Sequence, residues 1–240
     1  MTTNTLKKLC SSCSLKELCL PVGLNDDEIT MIDSLMKQSK RIDKGEYIFR
    51  SSDKFVSLYS IRTGFFKTNV SSIDGREQVT GFYMSGELIG MDGIFNNIHS
   101  CNAVALENSE VCELPYKNIE ELSSYIPSLR HHYMRLMSNE IIKDQNIMLL
   151  LGNMKASERI AAFLLNMSKR LAIRGFSQDE FVLRMSREEI GSYLGIKLET
   201  VSRVFSKFHQ DGIIFVNHKY IKIINPLELQ KIHYSDKKVS

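Results

Sequence analysis

The hydrophobic period changes partway along this chain, and that change restricts the fold more than any other feature. From about Arg41 to Leu114 the residues run in short alternating stretches such as "RIDKGEYIFR", "LYSIRTGFFKTNV" and "EQVTGFYMSGELIGM", punctuated by turns such as Asp74-Gly75. Alternation puts every second side chain on one face of a strand, so the region predicts an antiparallel sandwich or jelly roll of about eight strands, without helices longer than about two turns. In "YMRLMSNEIIKDQNIMLLLG" the spacing switches: Met134, Met137, Ile141, Asp144, Met148 and Leu151 follow at intervals of 3, 4, 3, 4 and 3. This is a heptad seam. A helix packing on its own domain would also show an apolar face, but a strict 3.5-residue repeat favours pairing with a second copy of the chain.

Asp144 sits where the seam calls for an apolar residue. In a parallel homodimer it would approach the identical carboxylate of the partner. At an effective dielectric near 20 and a separation of about 6 Å the repulsion is on the order of 3 kcal/mol, enough to make dimerisation marginal and therefore switchable. Turned to the rim of the helix, the same carboxylate would have no such effect.

Beyond Gly152 the period stays helical. In "KASERIAAFLLNMSKRLAIRG" Ile160, Phe163, Leu164, Met167 and Leu171 share a face, and Gly175 closes the helix. Ser186 and Glu189 then form a capping box for a helix ending at Gly195, and "IKLETVSRVFSKF" opens another. Helix, glycine turn, helix is the plan of a DNA-reading head. On its second helix Val201, Phe205 and Phe208 lie on one side; Glu199, Ser202, Arg203 and Ser206 lie on the other. Arg203 can donate twice to guanine, Glu199 can accept from cytosine, and Ser202 can serve a base edge or a phosphate. An exposed Glu199–Arg203 ion pair is the plainer alternative. Residues 153–240 carry 15 Lys and Arg against 9 Asp and Glu, a net +6, whereas residues 1–152 carry 16 against 19, a net −3. A basic excess confined to the candidate reading head suits a polyanionic partner. The stretch "GIIFVNHKYIKII" reads as a hairpin wing whose Lys219 or Lys222 reaches the phosphate backbone.

Three of the five cysteines, Cys10, Cys13 and Cys19, fall within ten residues near the N-terminus. With no apolar export signal and no run of 18 apolar residues, the expected compartment is the cytoplasm, with no membrane span. Reducing conditions there, and an odd cysteine count, argue against a disulfide framework. Metal or redox chemistry is the better reading of the three thiols; a zinc site, which would more usually show two C-x2-C pairs, stays an alternative.

A jelly roll, a heptad helix and a winged helix-turn-helix in this order resemble the cyclic-AMP receptor superfamily of bacterial transcription regulators, an α+β architecture. Within it, "CSSCSLKELCLP", "VCELP", "MRLMSNEIIKDQNIMLLL", "ERIAAFLLNMSKR" and "ETVSR" are similar to the oxygen-sensing fumarate-and-nitrate-reduction regulators. The resemblance implies a cluster-binding arm over 1–20, a sensor β-roll over 21–127, a dimerisation helix over 128–152 and a DNA-binding domain over 153–240. It implies that Cys10, Cys13, Cys19 and Cys112 hold a [4Fe-4S] cluster, which oxygen converts to [2Fe-2S] and then removes. Cys101 matches no ligand and reads as a buried or spare thiol. The resemblance further implies a regulator active without oxygen; joined to the seam, it gives the expectation that the intact cluster tips the helix around Ile141 toward a geometry that tolerates Asp144, forming the DNA-binding homodimer. The implied target is double-stranded DNA carrying TTGAT and ATCAA half-sites, read by Glu199, Ser202 and Arg203, with Thr200, Ser186 and Lys219 beside them. RNA polymerase would be contacted through the loop Ser71 to Glu77, including Gly75 and Arg76. Cyclic AMP is not expected as a ligand, because relatives that bind it place an arginine and a serine on its phosphate where this chain has about His99 and Ser100.

An enzyme is the competing class, for instance a small iron-sulfur redox protein. The chain has no P-loop, no dinucleotide fingerprint and no His-rich metal motif, and its six histidines are scattered. A regulator of this kind responding to nitric oxide or redox stress is not separated from an oxygen sensor by sequence.

Overall fold

The computed structural model describes residues 10–35, 39–72 and 74–234, in two compact units, Met1–Ile141 and Ile142–Ser240. In the first, α1 (Asp26–Leu35) is opened by Asn25, whose side chain accepts from the Glu28 amide while Glu28 accepts from the Asn25 amide, both at 2.9 Å. This reciprocal cap fixes the helix start and turns Ile29 and Ile32 inward. Eight strands follow: β1 (Ser39–Ile42), β2 (Tyr47–Phe49), β3 (Ser57–Thr63), β4 (Phe65–Ser71), β5 (Glu77–Met84), β6 (Leu88–Ile89), β7 (Asn102–Ala105) and β8 (Ser109–Pro115). They form two antiparallel four-stranded sheets, ordered β1-β8-β3-β6 and β2-β7-β4-β5. Ile42, Phe49, Ile61, Phe66, Ala103 and Val111 form a core from both sheets. Gly64, between β3 and β4, has φ +99°, and a Cβ there would lie 2.0 Å from Ser109 Oγ, so only glycine allows the close approach. The jelly roll read from the alternation is the observed fold.

Two helices complete this unit's chain, α2 (Tyr116–Tyr125) and α3 (Pro127–Asn153), the latter 27 residues long and running on into the second unit. Leu129 and Tyr133 on α3 are buried and Leu136 packs on the same cluster, while the Tyr83 hydroxyl reaches Glu140 at 3.3 Å. The seam residues occupy another stripe of the helix and are exposed: Met134, Met137, Ile141, Asp144, Met148 and Leu151. One face of the helix therefore packs on the β-roll through Leu129, Tyr133 and Leu136, and the seam residues stay exposed among the described residues.

The second unit contains α4 (Ala156–Ile173), β9 (Glu180–Val182), α5 (Arg187–Leu194), α6 (Leu198–Gln210), β10 (Ile214–Asn217), β11 (Tyr220–Ile223) and α7 (Pro226–His233). The five α4 residues placed on one face by spacing are all buried. Ser186 caps α5: its Oγ accepts from the Glu189 amide at 3.1 Å and its own amide donates to Glu189 at 2.7 Å. Gly195 ends α5 at φ +62°. The wing has a third strand, with order β10-β11-β9.

Candidate metal centre and nucleic-acid interface

Residues 10–24 form successive tight turns, with backbone bonds from Cys13 to Cys10 (3.0 Å), Lys16 to Cys13 (3.2 Å), Leu18 to Leu15 (2.9 Å) and Val22 to Cys19 (3.1 Å). Three side chains from elsewhere hold this loop. Asp33 on α1, only 5% exposed, accepts from the Cys10 amide at 2.5 Å, the Ser11 amide at 3.3 Å and the Ser11 hydroxyl at 2.9 Å. Ser60 on β3 lies 2.8 Å from Cys19 Sγ. His132 on α3 places a ring nitrogen 3.2 Å from the Cys19 carbonyl.

Cys112 lies on β8, directly opposite Ser60 in the β3–β8 ladder. Opposed residues in an antiparallel pair project to the same face, so the Ser60 hydroxyl that bonds Cys19 also marks the face of Cys112. Cys10, Cys13, Cys19 and Cys112 line one recess of about 410 Å³ including its mouth, walled by residues such as Leu15, Leu20 and Ile61, with Arg62 at its edge. Among the described residues no three His, Cys, Asp or Glu side chains converge closely enough to hold a metal ion as they stand. The four thiols thus line one recess without meeting at a point. Burial, and then the neighbouring Cys19 and Asp33, push the Cys10 thiol up. Burial raises Cys19 against the opposing hydrogen bond of Ser60, and burial plus Cys19 raises Cys112 to about 11 against the pull of Arg62. Several thiolates cannot coexist in such a recess without a cation, so the donor set fits a soft, positively charged metal group.

Cys101 is elsewhere, buried in the β-roll core. His99 is also buried, stacked on Phe49 with centroids 3.6 Å apart, its Nδ1 3.3 Å from Asp92. Asp92 accepts from the Ser100 amide (2.8 Å) and hydroxyl (3.3 Å), so His99 and Ser100 are both turned to an internal carboxylate. In the β4–β5 loop Gly75 takes φ +81° and Arg76 donates to Asp74 at 2.7 Å, an exposed pair.

On α6 Val201, Phe205 and Phe208 are buried, while Glu199, Ser202, Arg203 and Ser206 are exposed and Thr200 is half-buried. Arg203 has no hydrogen-bond or ion-pair partner among the described residues, so the Glu199–Arg203 pair is not formed and the guanidinium is available. Lys219 donates to the Arg184 carbonyl at 3.0 Å and Lys222 lies 3.7 Å from Glu180. Arg187 covers the Phe205 ring at 3.6 Å and donates to the His218 carbonyl at 3.0 Å, tying the wing turn to α6. Sequence reasoning passed over Asp33, Ser60, His132 and Arg187. Ser60 is two residues from the buried Leu58 on β3 and so shares its face, but a lone serine in a strand gives no sign of a site.

Residues 158–232 match the family model of the Crp-like helix-turn-helix domain and residues 39–125 that of the cyclic nucleotide-binding domain. A sensor roll followed by this reading head defines a DNA-binding transcription regulator. Over 220 residues the chain is 46% identical to the transcriptional activator protein Anr of Pseudomonas protegens, covering 92% of this chain and 90% of the relative. The fumarate and nitrate reduction regulatory protein of Vibrio cholerae is 45% identical over 223 residues, 93% and 89% of the two chains. Among solved structures, FixK2 from Bradyrhizobium japonicum superposes with a TM-score of 0.75 at 30% identity, over 82% of this chain and 96% of that one. The chain belongs to the fumarate-and-nitrate-reduction (FNR/Anr) branch of the CRP/FNR family, and is a transcription regulator of the anaerobic response rather than an enzyme. Among the described residues no helix is long and apolar enough to cross a membrane.

Proposed function

We propose that this regulator senses oxygen through a [4Fe-4S] cluster held by Cys10, Cys13, Cys19 and Cys112. The observation that carries the reading is the shared recess: three thiols from the N-terminal loop face the wall that presents the β8 thiol. When bound, the cluster supplies an oxygen-labile centre whose loss is the signal. The protein's part is positional. Asp33 fixes the backbone at Cys10 and Ser11, Ser60 aligns Cys19 with β8, and His132 links the Cys19 carbonyl to α3, the helix that carries the seam. A change in the loop's footing is therefore felt at α3 through His132 and at the β3–β8 ladder through Ser60.

In this reading a second copy covers the exposed seam, Asp144 sets the threshold for association, and the cluster-loaded dimer binds an inverted repeat of TTGAT and ATCAA. Glu199, Ser202 and Arg203 read bases; Thr200, Ser186 and Lys219 flank them. The Ser71 to Glu77 loop, with Gly75 and Arg76, contacts RNA polymerase, and the protein works in the cytoplasm. Cyclic AMP is not a ligand, because Asp92 already takes the hydrogen bonds of Ser100 and a side-chain nitrogen of His99.

Anaerobic purification followed by absorption spectroscopy and iron and sulfide assay tests the proposal. The unmodified chain and Cys101→Ser emerge coloured and bleach in air, while Cys112→Ser emerges without cluster. A colourless, iron-free unmodified chain, or a Cys112→Ser variant that keeps a normal cluster, overturns the assignment.

A further inference from the structure

One guanidinium in the second unit joins two helix ends that no sequence motif connects. Arg159, in the first turn of α4, donates through Nε to the Met154 carbonyl at 2.8 Å, through Nη2 to the Leu151 carbonyl at 2.9 Å and through Nη1 to the Leu194 carbonyl at 2.8 Å. Leu151 belongs to the last turn of α3, and Leu194 is the last residue of α5, the first helix of the reading head. The last four carbonyls of a helix lack intrahelical partners and carry the negative end of its dipole, so a cation that serves both ends holds them at a fixed separation. Close approach supports the link: a Cβ on Gly195 would lie 3.0 Å from Leu151 Cδ2 and 3.4 Å from Arg159 Nη1, so the turn after α5 has no room for a side chain beside them. Leu151 is thus the final seam residue, an acceptor for Arg159 and a neighbour of the turn that leads into α6.

We infer that Arg159 is a positioning residue that couples the end of the association helix α3 to the helix-turn-helix, so that pairing along the seam sets the pose of α6. This deepens the proposed function and rests on its dimer-based reading of DNA. A lysine would keep the charge, but one ammonium nitrogen cannot reproduce the span of the planar guanidinium, whose three nitrogens reach three separate carbonyls.

The test is Arg159→Lys in the full chain, purified anaerobically beside the unmodified protein. Self-association is measured by analytical ultracentrifugation, and DNA binding by fluorescence anisotropy on a TTGAT/ATCAA duplex and on a scrambled duplex. The expected result is unchanged self-association and unchanged binding to the scrambled duplex, with specific affinity reduced about 5- to 150-fold, the range of a coupling between sites. Equal specific affinity for the two chains overturns the inference, as does a loss shared equally by both duplexes. Failure of the unmodified chain to prefer the repeat counts instead against the proposed function. If Arg159→Lys does not fold, amide exchange on the unmodified chain decides. Protection of the Ile196 amide, which bonds the Gly191 carbonyl at 2.9 Å, then rises with self-association; the same protection in monomer and dimer overturns the inference.

Discussion

Asp33 shows how much a single side chain can matter to a site it does not ligate. A buried carboxylate accepting three hydrogen bonds from Cys10 and Ser11 organises the loop before any metal arrives. Asp33→Asn removes the charge and turns a donor toward a donor, which costs about 1.5–3 kcal/mol for hydrogen bonds to a charged group. Urea denaturation of the metal-free chain checks this through a lower midpoint at unchanged slope. Arg203 stands at the other extreme, exposed and without a hydrogen-bond or ion-pair partner among the described residues. Arg203→Ala is expected to weaken binding to the repeat by about 1–3 kcal/mol, concentrated at one guanine-containing pair. Substituting that base pair beneath the variant should then cost nothing more; a loss equal on all sequences would make Arg203 a phosphate contact.

Elements differ in how openly the sequence declares them. The jelly-roll strands, α4 and the pair α5–α6 were legible because alternation, a buried face and a capping box each leave a local mark. Helices α1 and α2, of 10 residues each, and α7, of 8, were not singled out, because two or three turns give periodicity too little room. Strand β9 was missed for a related reason: its three residues are strand only because β11 pairs with them. The site was half legible. Its thiols stood out by clustering, whereas Asp33, Ser60 and His132 look like surface residues of ordinary helices and strands until the fold brings them to the loop. Gly191 was hidden in the same way inside α5. A Cβ there would sit 2.6 Å from the Ile196 carbonyl oxygen and 3.4 Å from Val201 Cγ2. Gly191→Ala should force α5 from the turn and destabilise the second unit by about 1–3 kcal/mol, the cost of overpacking. Differential scanning calorimetry would show this as a lowered transition for that unit.

Across the whole molecule the central quantity is the balance along α3. Its seam is exposed in the single chain, and its midpoint carries Asp144 among apolar neighbours. Relief of about 3 kcal/mol of like-charge repulsion is worth roughly a hundredfold in association. Asp144→Ala should therefore dimerise and bind its duplex in air, where the proposed switch leaves the unmodified chain monomeric. An Asp144→Ala chain that sediments as a monomer under oxygen would remove Asp144 from the switch. The placement of Cys112 on β8, an interior strand between β1 and β3, has a further consequence in time. It follows Cys19 by 93 residues, about 5–20 seconds of synthesis at ordinary ribosome speed. Each newborn chain therefore presents three thiols before the fourth has been made, and the sheet that carries the fourth closes later still. Under the proposed chemistry every chain begins its life silent, and the number of working regulators in a cell is set by the supply of assembled clusters as well as by transcription of the gene.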